Sequence, residues 1–276
     1  MTITAKERID VLLVERGFYE SREKAKAALM AGLVLVNDEP VDKSGMKVPR
    51  AADIKVKGAL HPYVSRGGLK LEKAIKAFDI DLQDRVMLDI GASTGGFTDC
   101  ALQNGASYVY AIDVGYNQLD YSLRQDERVN VMERTNFRYT QPADLIGPQP
   151  TFATIDVSFI SLKHILPALS TLLSIGSGIV ALIKPQFEAG REKVGKSGVV
   201  RDSGVHRDVL RTVLTTASEL GYSLQDITFS PITGGEGNIE FLAYWKWTNE
   251  PHAEFSNDEA LAALVKQANE TFTASK

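Results

Sequence analysis

The first apolar positions of the chain recur at helical spacing. Ile9, Leu12 and Leu13 fall on one side of a 3.6-residue period over residues 8–16, which stops at Gly17, a residue suited to a C-cap. Ser21 is a good N-cap for a second helix that runs through Ala25, Ala28 and Leu29 and ends at Gly32. The period then changes. Residues 33–36, Val41, 47–48 and 54–56 read as short strands joined by polar turns such as Asn37-Asp38. Residues 1–60 are therefore expected to form a small α+β domain, a helix pair mounted on a hairpin. Pro62 favours extended or turning chain, so residues 61–64 are expected to be a linker.

A second pattern begins at residue 65. Near-continuous apolar runs at 85–90, 108–113, 129–131, 152–156 and 178–183, then 224–229 and 239–247, alternate with helical segments after Gly96, over 162–173 and over 202–220. Buried strands alternating with helices predict an α/β domain over 65–250, a doubly wound, mostly parallel sheet of the Rossmann type. Ligands bind such sheets at the carboxyl ends of the strands. Residues 251–276 are expected to be a tail with a short amphipathic helix around 261–265.

Composition narrows the function. With 276 residues, 44% hydrophobic and 24% charged, the chain is neither disordered nor fibrous. Its apolar runs fall well short of the ~20 residues a membrane span needs. Charged residues near the N-terminus interrupt any signal-like stretch, so a cytoplasmic location is expected. A single cysteine, Cys100, and four scattered histidines exclude an internal disulfide and cysteine-rich zinc sites, and no metal is expected. The net charge of -4 hides an asymmetry: residues 1–78 hold 15 basic against 10 acidic residues, and the remainder 16 against 25. A basic N-terminal part suits a nucleic-acid contact surface, with Arg22, Lys24 and Lys26 presented by the second helix.

The stretches Arg8-Ile-Asp-x-Leu-Leu, Ser21-Arg22-x-x-Ala25 and Gly32-Leu-Val-x-Val36-Asn37-Asp38 make this first unit resemble the S-four type of RNA-binding domain. The resemblance implies phosphate contacts from Arg22, Lys24 and Lys26, with Arg8 also on the RNA-binding side.

The first strand of the second domain ends in Asp89-Ile-Gly91-Ala-Ser93-Thr-Gly95-Gly96-Phe97-Thr98. A phosphate-binding loop would need a lysine before Thr98, and a dinucleotide fingerprint would need Gly-x-Gly-x-x-Gly; neither is present. A nucleoside ligand without a pyrophosphate remains, and S-adenosylmethionine is one. Asp113 ends the next strand 24 residues after Asp89, near the spacing at which an acid meets a ribose. The stretch Gly190-Arg-Glu-Lys-Val-Gly195-Lys196-Ser197 does satisfy the phosphate-loop pattern. It neither follows a strand directly nor opens a helix, and reads as a mobile basic loop beside the site.

The acceptor atom is constrained next. The fourth strand ends Asp156-Val-Ser-Phe159, without the Pro-Pro of exocyclic base-amine methylation, and Cys100 lies in a helix where a buried role suits it better than attack on a cytosine carbon. Lys184 follows an apolar strand, Lys70 lies on the helix leading into the domain, and Asp156 and Glu240 stand at strand ends. Two cations and two carboxylates in one cleft would suit a hydroxyl nucleophile, with Lys184 taking its proton. This Lys70, Asp156, Lys184, Glu240 series resembles the tetrad of FtsJ-type ribose 2'-O-methyltransferases. With Val64-Ser-Arg66-Gly-Gly-x-Lys70, Lys184-Pro-Gln-Phe-Glu188, Gly198-Val-Val-Arg-Asp202 and Gly234-Gly-Glu-Gly-Asn-x-Glu240, the chain resembles the hemolysin A (TlyA) family over about residues 6–247.

That resemblance implies S-adenosylmethionine as donor and cytidine 2'-hydroxyls of ribosomal RNA in assembled subunits as acceptors. It implies a cofactor site of Asp89, Gly91, Ser93, Gly95, Gly96, Phe97, Thr98 and Asp113, with Asn136 or Phe137 near the adenine, and Arg66 among the RNA contacts. A membrane-lytic protein or an inactive ribosome binder are the alternatives. The first finds no long amphipathic helix in the sequence, and intact Asp89, Asp113 and Lys184 count against the second.

Overall fold

A computed structural model describes residues 6–19, 21–30, 32–56, 61–252 and 257–273. The chain divides into two compact units, 1–60 and 61–276. The boundary expected at 60 and the linker meet residues 57–60, which lie outside the described ones.

The first unit holds β1 (Lys6–Arg8), α1 (Ile9–Glu15), α2 (Arg22–Met30), β2 (Val34–Val36), β3 (Glu39–Pro40), β4 (Lys47–Pro49) and β5 (Ile54–Val56). Strands β3, β2 and β5 form an antiparallel sheet, and β1 pairs with β4. Ile9, Leu12, Leu13, Ala25 and Leu29 from the helices close on Val34, Val36, Val48 and Ile54 from the strands. The apolar periods of 3.6 and 2 therefore meet in one core.

The second unit contains α3 (Gly68–Phe78), β6 (Val86–Ile90), α4 (Gly96–Gln103), β7 (Tyr108–Ile112), α5 (Tyr121–Arg124), β8 (Val129–Met132) and β9 (Phe152–Ile155). It continues through α6 (Leu166–Leu169), β10 (Gly178–Ile183), α7 (Pro185–Glu188), α8 (Ser203–Glu219), β11 (Tyr222–Phe229), β12 (Phe241–Trp247) and α9 (Asp258–Thr273). The sheet order is β11-β12-β10-β9-β6-β7-β8, with β8, β7, β6, β9 and β10 mutually parallel. Strand β12 enters antiparallel between β10 and β11. The chain leaves β6 toward β7 on one side and reaches β9 on the other, so the strand order switches at β6. Crevices at such a switch are where doubly wound sheets hold ligands. Two apolar clusters cover the faces, one around Leu166, Leu210, Tyr222 and Trp245, the other around Leu71, Met87, Ala101 and Leu242.

Three expectations change. The helix expected over 162–173 is a 3-10 turn at Leu162–His164 followed by the single turn α6. Pro167 has no N–H to give residue 163 and its ring crowds that carbonyl, which breaks a continuous α pattern. Tyr63 and Val64 are not linker: Tyr63 is buried in the second unit's core, and the Val64 N–H donates to Asp99 Oδ2 at 2.7 Å. The C-terminal helix is longer than expected, 16 residues, and buries Leu261, Val265 and Ala268 in the core shared with α8 rather than forming a separate tail.

Candidate active site

Four ionic side chains from remote parts of the sequence meet beyond the carboxyl ends of the central strands. Lys70 comes from the first turn of α3, Asp156 follows β9, Lys184 follows β10, and Glu240 precedes β12. Lys184 Nζ is ion-paired with Asp156 Oδ1. Lys70 Nζ lies 3.4 Å from Asp156 Oδ2 and 2.7 Å from Glu240 Oε2. Asp156 is thus shared by both ammonium groups, whereas Glu240 serves Lys70. Lys70, Lys184 and Glu240 are all less than a tenth exposed, so their mutual attraction is little screened. Burial disfavours the Lys70 ammonium, but Asp156 and Glu240 outweigh it and hold its pKa above the usual lysine value. Burial likewise opposes ionisation of Asp156, yet the two ammonium groups keep its carboxyl below the ordinary range. Lys184 Nζ also donates to Ser158 Oγ at 3.2 Å, a partner that residue type alone did not reveal.

Proline at 185 fixes the chain direction just after Lys184 and opens α7. Phe159 adopts a left-handed φ of 64° and its ring is 91% exposed, 5.0 Å between centroids from Phe187. A cleft of about 380 Å³ adjoins this pair, lined by Ser161, Lys163, His164 and Glu188 among others.

The glycine turn follows β6. Gly91 has φ 85°, and a Cβ there would lie 2.5 Å from the Asp156 carbonyl oxygen. A Cβ on Gly96 would collide with Ser65 Oγ and meet Gly68 N at 2.8 Å. These glycines are demanded by chain packing against chain, a reason beyond the ligand approach read from the sequence. Asp89 is fully buried, with Oδ2 accepting from Thr98 Oγ1 at 2.6 Å and Oδ1 from Thr154 Oγ1 at 3.0 Å, so it shapes the turn from beneath. Burial raises its pKa to about 6 against those two hydroxyl donors. Phe97, Thr98 and Phe137 are buried as well and support the site from within.

Ser93, at φ 49°, and Asn136 are exposed, and Asp113 is half-buried. Asp113 Oδ2 accepts the Ser93 N–H at 2.8 Å and Oδ1 the Gly115 N–H at 2.7 Å, which ties the acid to the glycine turn. Between Asp89 and Thr98 the chain carries no lysine or arginine. A carboxylate beside a turn of N–H groups and hydroxyls, without a phosphate-gripping cation, fits a nucleoside bearing a sulfonium and an amino acid. The phosphate-loop lookalike at 190–197 contains an exposed 3-10 turn, Arg191–Lys193, with Lys196 and Ser197 also exposed.

In the first unit, Asp10 is fully buried and accepts from Arg8 at 2.9 Å and from Arg22 at 2.8 Å. These donors hold its carboxyl well below the usual range, with the Arg8 hydrogen bond the largest influence and burial opposing. Both guanidiniums stay about half exposed, with Lys24 exposed and Lys26 partly buried on α2. Arg66 is exposed at the start of the second unit. Among the described residues no cluster of His, Cys, Asp and Glu could hold a metal, and no helix is long and apolar enough to cross a membrane.

Residues 63–247 match the FtsJ-like methyltransferase family and residues 7–54 the S4 domain. The chain is 58% identical to the Bacillus subtilis protein named "Putative rRNA methyltransferase YqxC", over 98% of this chain and 97% of that one. It is 42% identical to the Mycobacterium tuberculosis protein named 16S/23S rRNA (cytidine-2'-O)-methyltransferase TlyA, over 86% of this chain and 88% of that one. Among solved structures, one titled "Putative hemolysin from Streptococcus thermophilus" is 51% identical, covers 99% of this chain and 98% of its own, and superimposes with a TM-score of 0.79.

Proposed function

The chain belongs to the FtsJ-like methyltransferase family and carries an S4 domain, and on that premise we propose that it transfers a methyl group from S-adenosylmethionine to cytidine 2'-hydroxyls of ribosomal RNA. The observation that carries this reading is the Lys70–Asp156–Lys184–Glu240 cluster beside the glycine turn. A sugar hydroxyl is a weak nucleophile, so it needs orientation and a proton acceptor at the moment its oxygen attacks carbon.

Lys184 Nζ, its ammonium proton first passed to solvent, accepts that proton. The ammonium it becomes is held by Asp156 and Ser158, and releases the proton to solvent before the next turnover. Lys70 neutralises the second oxygen of Asp156, and Glu240 balances Lys70, so the cluster holds two charges of each sign. Bound S-adenosylmethionine would supply an electrophilic methyl group on sulfonium and leave as a neutral thioether. The Asp113 carboxylate would hold the ribose hydroxyls of this donor, with Ser93 and Asn136 beside it. The exposed Phe159 ring offers a stacking face for the target base, and the cleft behind it room for flanking nucleotides. Arg8, Arg22, Lys24 and Lys26 would bind phosphates of the ribosomal subunit, and the enzyme would then work in the cytoplasm. A membrane-lytic activity loses ground, since a methyltransferase family accounts for residues 63–247.

Incubation of the protein with methyl-labelled S-adenosylmethionine and unmodified ribosomal subunits, followed by digestion to nucleosides, tests the proposal. Label is expected in 2'-O-methylcytidine. Label on a base, or none in RNA, would overturn it.

A further inference from the structure

We propose that Glu133 is a positioning residue for the cofactor: its carboxylate clips the loop between β7 and α5 into the shape that presents Asp113. The inference rests on the reading of Asp113 as the ribose acid and adds a residue that touches no ligand.

Glu133 follows β8, its side chain one-tenth exposed. Its Oε2 accepts the Asn117 N–H at 2.8 Å, and its Oε1 the N–H groups of Gln118 at 3.0 Å and Leu119 at 3.4 Å. Arg124 from α5 completes the shell with an ion pair. One carboxylate thus gathers three consecutive backbone donors, an arrangement the chain has no regular hydrogen-bond ladder to provide. Asn117 takes a left-handed φ of 57°, which asparagine adopts more readily than most side-chain-bearing residues, so the loop turns here without a glycine. Burial of Glu133 opposes ionisation, but the three N–H groups and Arg124 bring its pKa down to about 2, so the clip is charged throughout the working range.

The clipped loop is joined to the site at both ends. Gly115 N–H donates to Asp113 Oδ1, and the Asp120 N–H to the Thr94 carbonyl at 3.0 Å. Arg134 N–H donates to the Gly115 carbonyl and Thr135 N–H to that of Asp113, both at 2.9 Å. Leu119 and Leu123 lie where a Cβ on Gly95 would stand. Releasing residues 117–119 therefore loosens the acid and the glycine turn together.

The test is Glu133→Gln, which keeps the shape but turns an amide toward donors. The dissociation constant and KM for S-adenosylmethionine should rise roughly ten- to a hundredfold, the cost of leaving partly buried donors unpaired. The kcat at saturating cofactor and the KM for RNA should stay within a few fold. Amide hydrogen exchange at Asn117, Gln118 and Leu119 should accelerate ahead of the rest of the sheet. Glu133→Asp, with a shorter carboxylate, should show a smaller rise in both cofactor constants. Unchanged cofactor affinity in both variants, with affinity lost in Asp113→Ala, would overturn the role of Glu133. Affinity retained in Asp113→Ala would instead remove the reading of Asp113 on which it rests. An equal loss in kcat, RNA binding and cofactor binding on Glu133→Gln would show general unfolding and would also overturn it.

Discussion

The Lys70 ammonium lies 2.7 Å from the Glu240 carboxylate, linking the first helix of the second unit to the entry of its last strand. Both groups are buried. Lys70→Met strands the Glu240 carboxylate and should lower stability by about 3–5 kcal/mol, whereas Glu240→Gln leaves Lys70 with Asp156 and should cost less. The double variant Lys70→Met/Glu240→Gln should recover part of the loss, read as a smaller shift in urea midpoint than the sum of the single changes. Strictly additive losses would contradict a coupled pair.

Lys184→Ala should lower kcat by roughly two to four orders of magnitude, the range of a lost general base. Cofactor affinity should stay within a few fold, because the side chain faces Asp156 and Ser158 and not the glycine turn. Single-turnover kinetics alongside direct binding separate the two quantities. Turnover near the wild-type rate would remove Lys184 from the proton path.

Phe159 is exposed, so its truncation should leave the unfolding midpoint and cofactor affinity unchanged. Loss of a base-stacking face is worth about 1–3 kcal/mol. Phe159→Ala should therefore raise the KM for RNA by roughly five- to a hundredfold. An unaltered KM would show that the ring meets no base.

Asp89 gives a pH-dependent signature. Its folded pKa, about 6, lies above the unfolded value of 3.8, so its contribution to stability is complete below the unfolded pKa and is lost as pH rises through 6. Asp89→Asn has no such loss. The variant should gain on wild type between pH 4 and pH 7, by up to about 3 kcal/mol for a shift of this size. Urea titrations across that interval measure the difference, and a variant that loses stability relative to wild type as pH rises would refute the sign.

Arg22 and Lys26 lie on one helix, the first pinned by Asp10 with half its guanidinium outward. Replacing both by glutamine should weaken RNA binding and reduce the slope of log affinity against log salt by roughly 1–2, through fewer released counterions. An identical slope would place the RNA elsewhere.

Much of the sheet was readable because each buried strand is a continuous apolar run bounded by turn residues, and because such runs alternate with helical periods. The insertion of β12 between β10 and β11 was not, since hydrophobicity specifies which faces are buried but not which strand lies beside which. The helix over 162–173 failed at Pro167, where a local backbone constraint outweighs apolar spacing. Within the site, Lys184 and Asp156 stood out because a charged residue at the end of a buried strand needs a partner. Ser158, Thr154 and Glu133 gave no such signal: their partners are a remote lysine, a remote carboxylate and backbone amides, and residue type is silent about each. Asp89 was legible as part of the turn, but not as a group sealed under it by Thr98 and Thr154.

Gly91 stands 2.5 Å, measured from its absent Cβ, from the carbonyl of Asp156. In the proposed reaction the donor's cradle and the acceptor's proton trap are consequently adjoining walls, in contact where the main chain of Gly91 meets that of Asp156. The proposed alignment of attacking oxygen with departing sulfur would then start from the main chain itself, and a methyl group added at position 91 would disturb both walls at once.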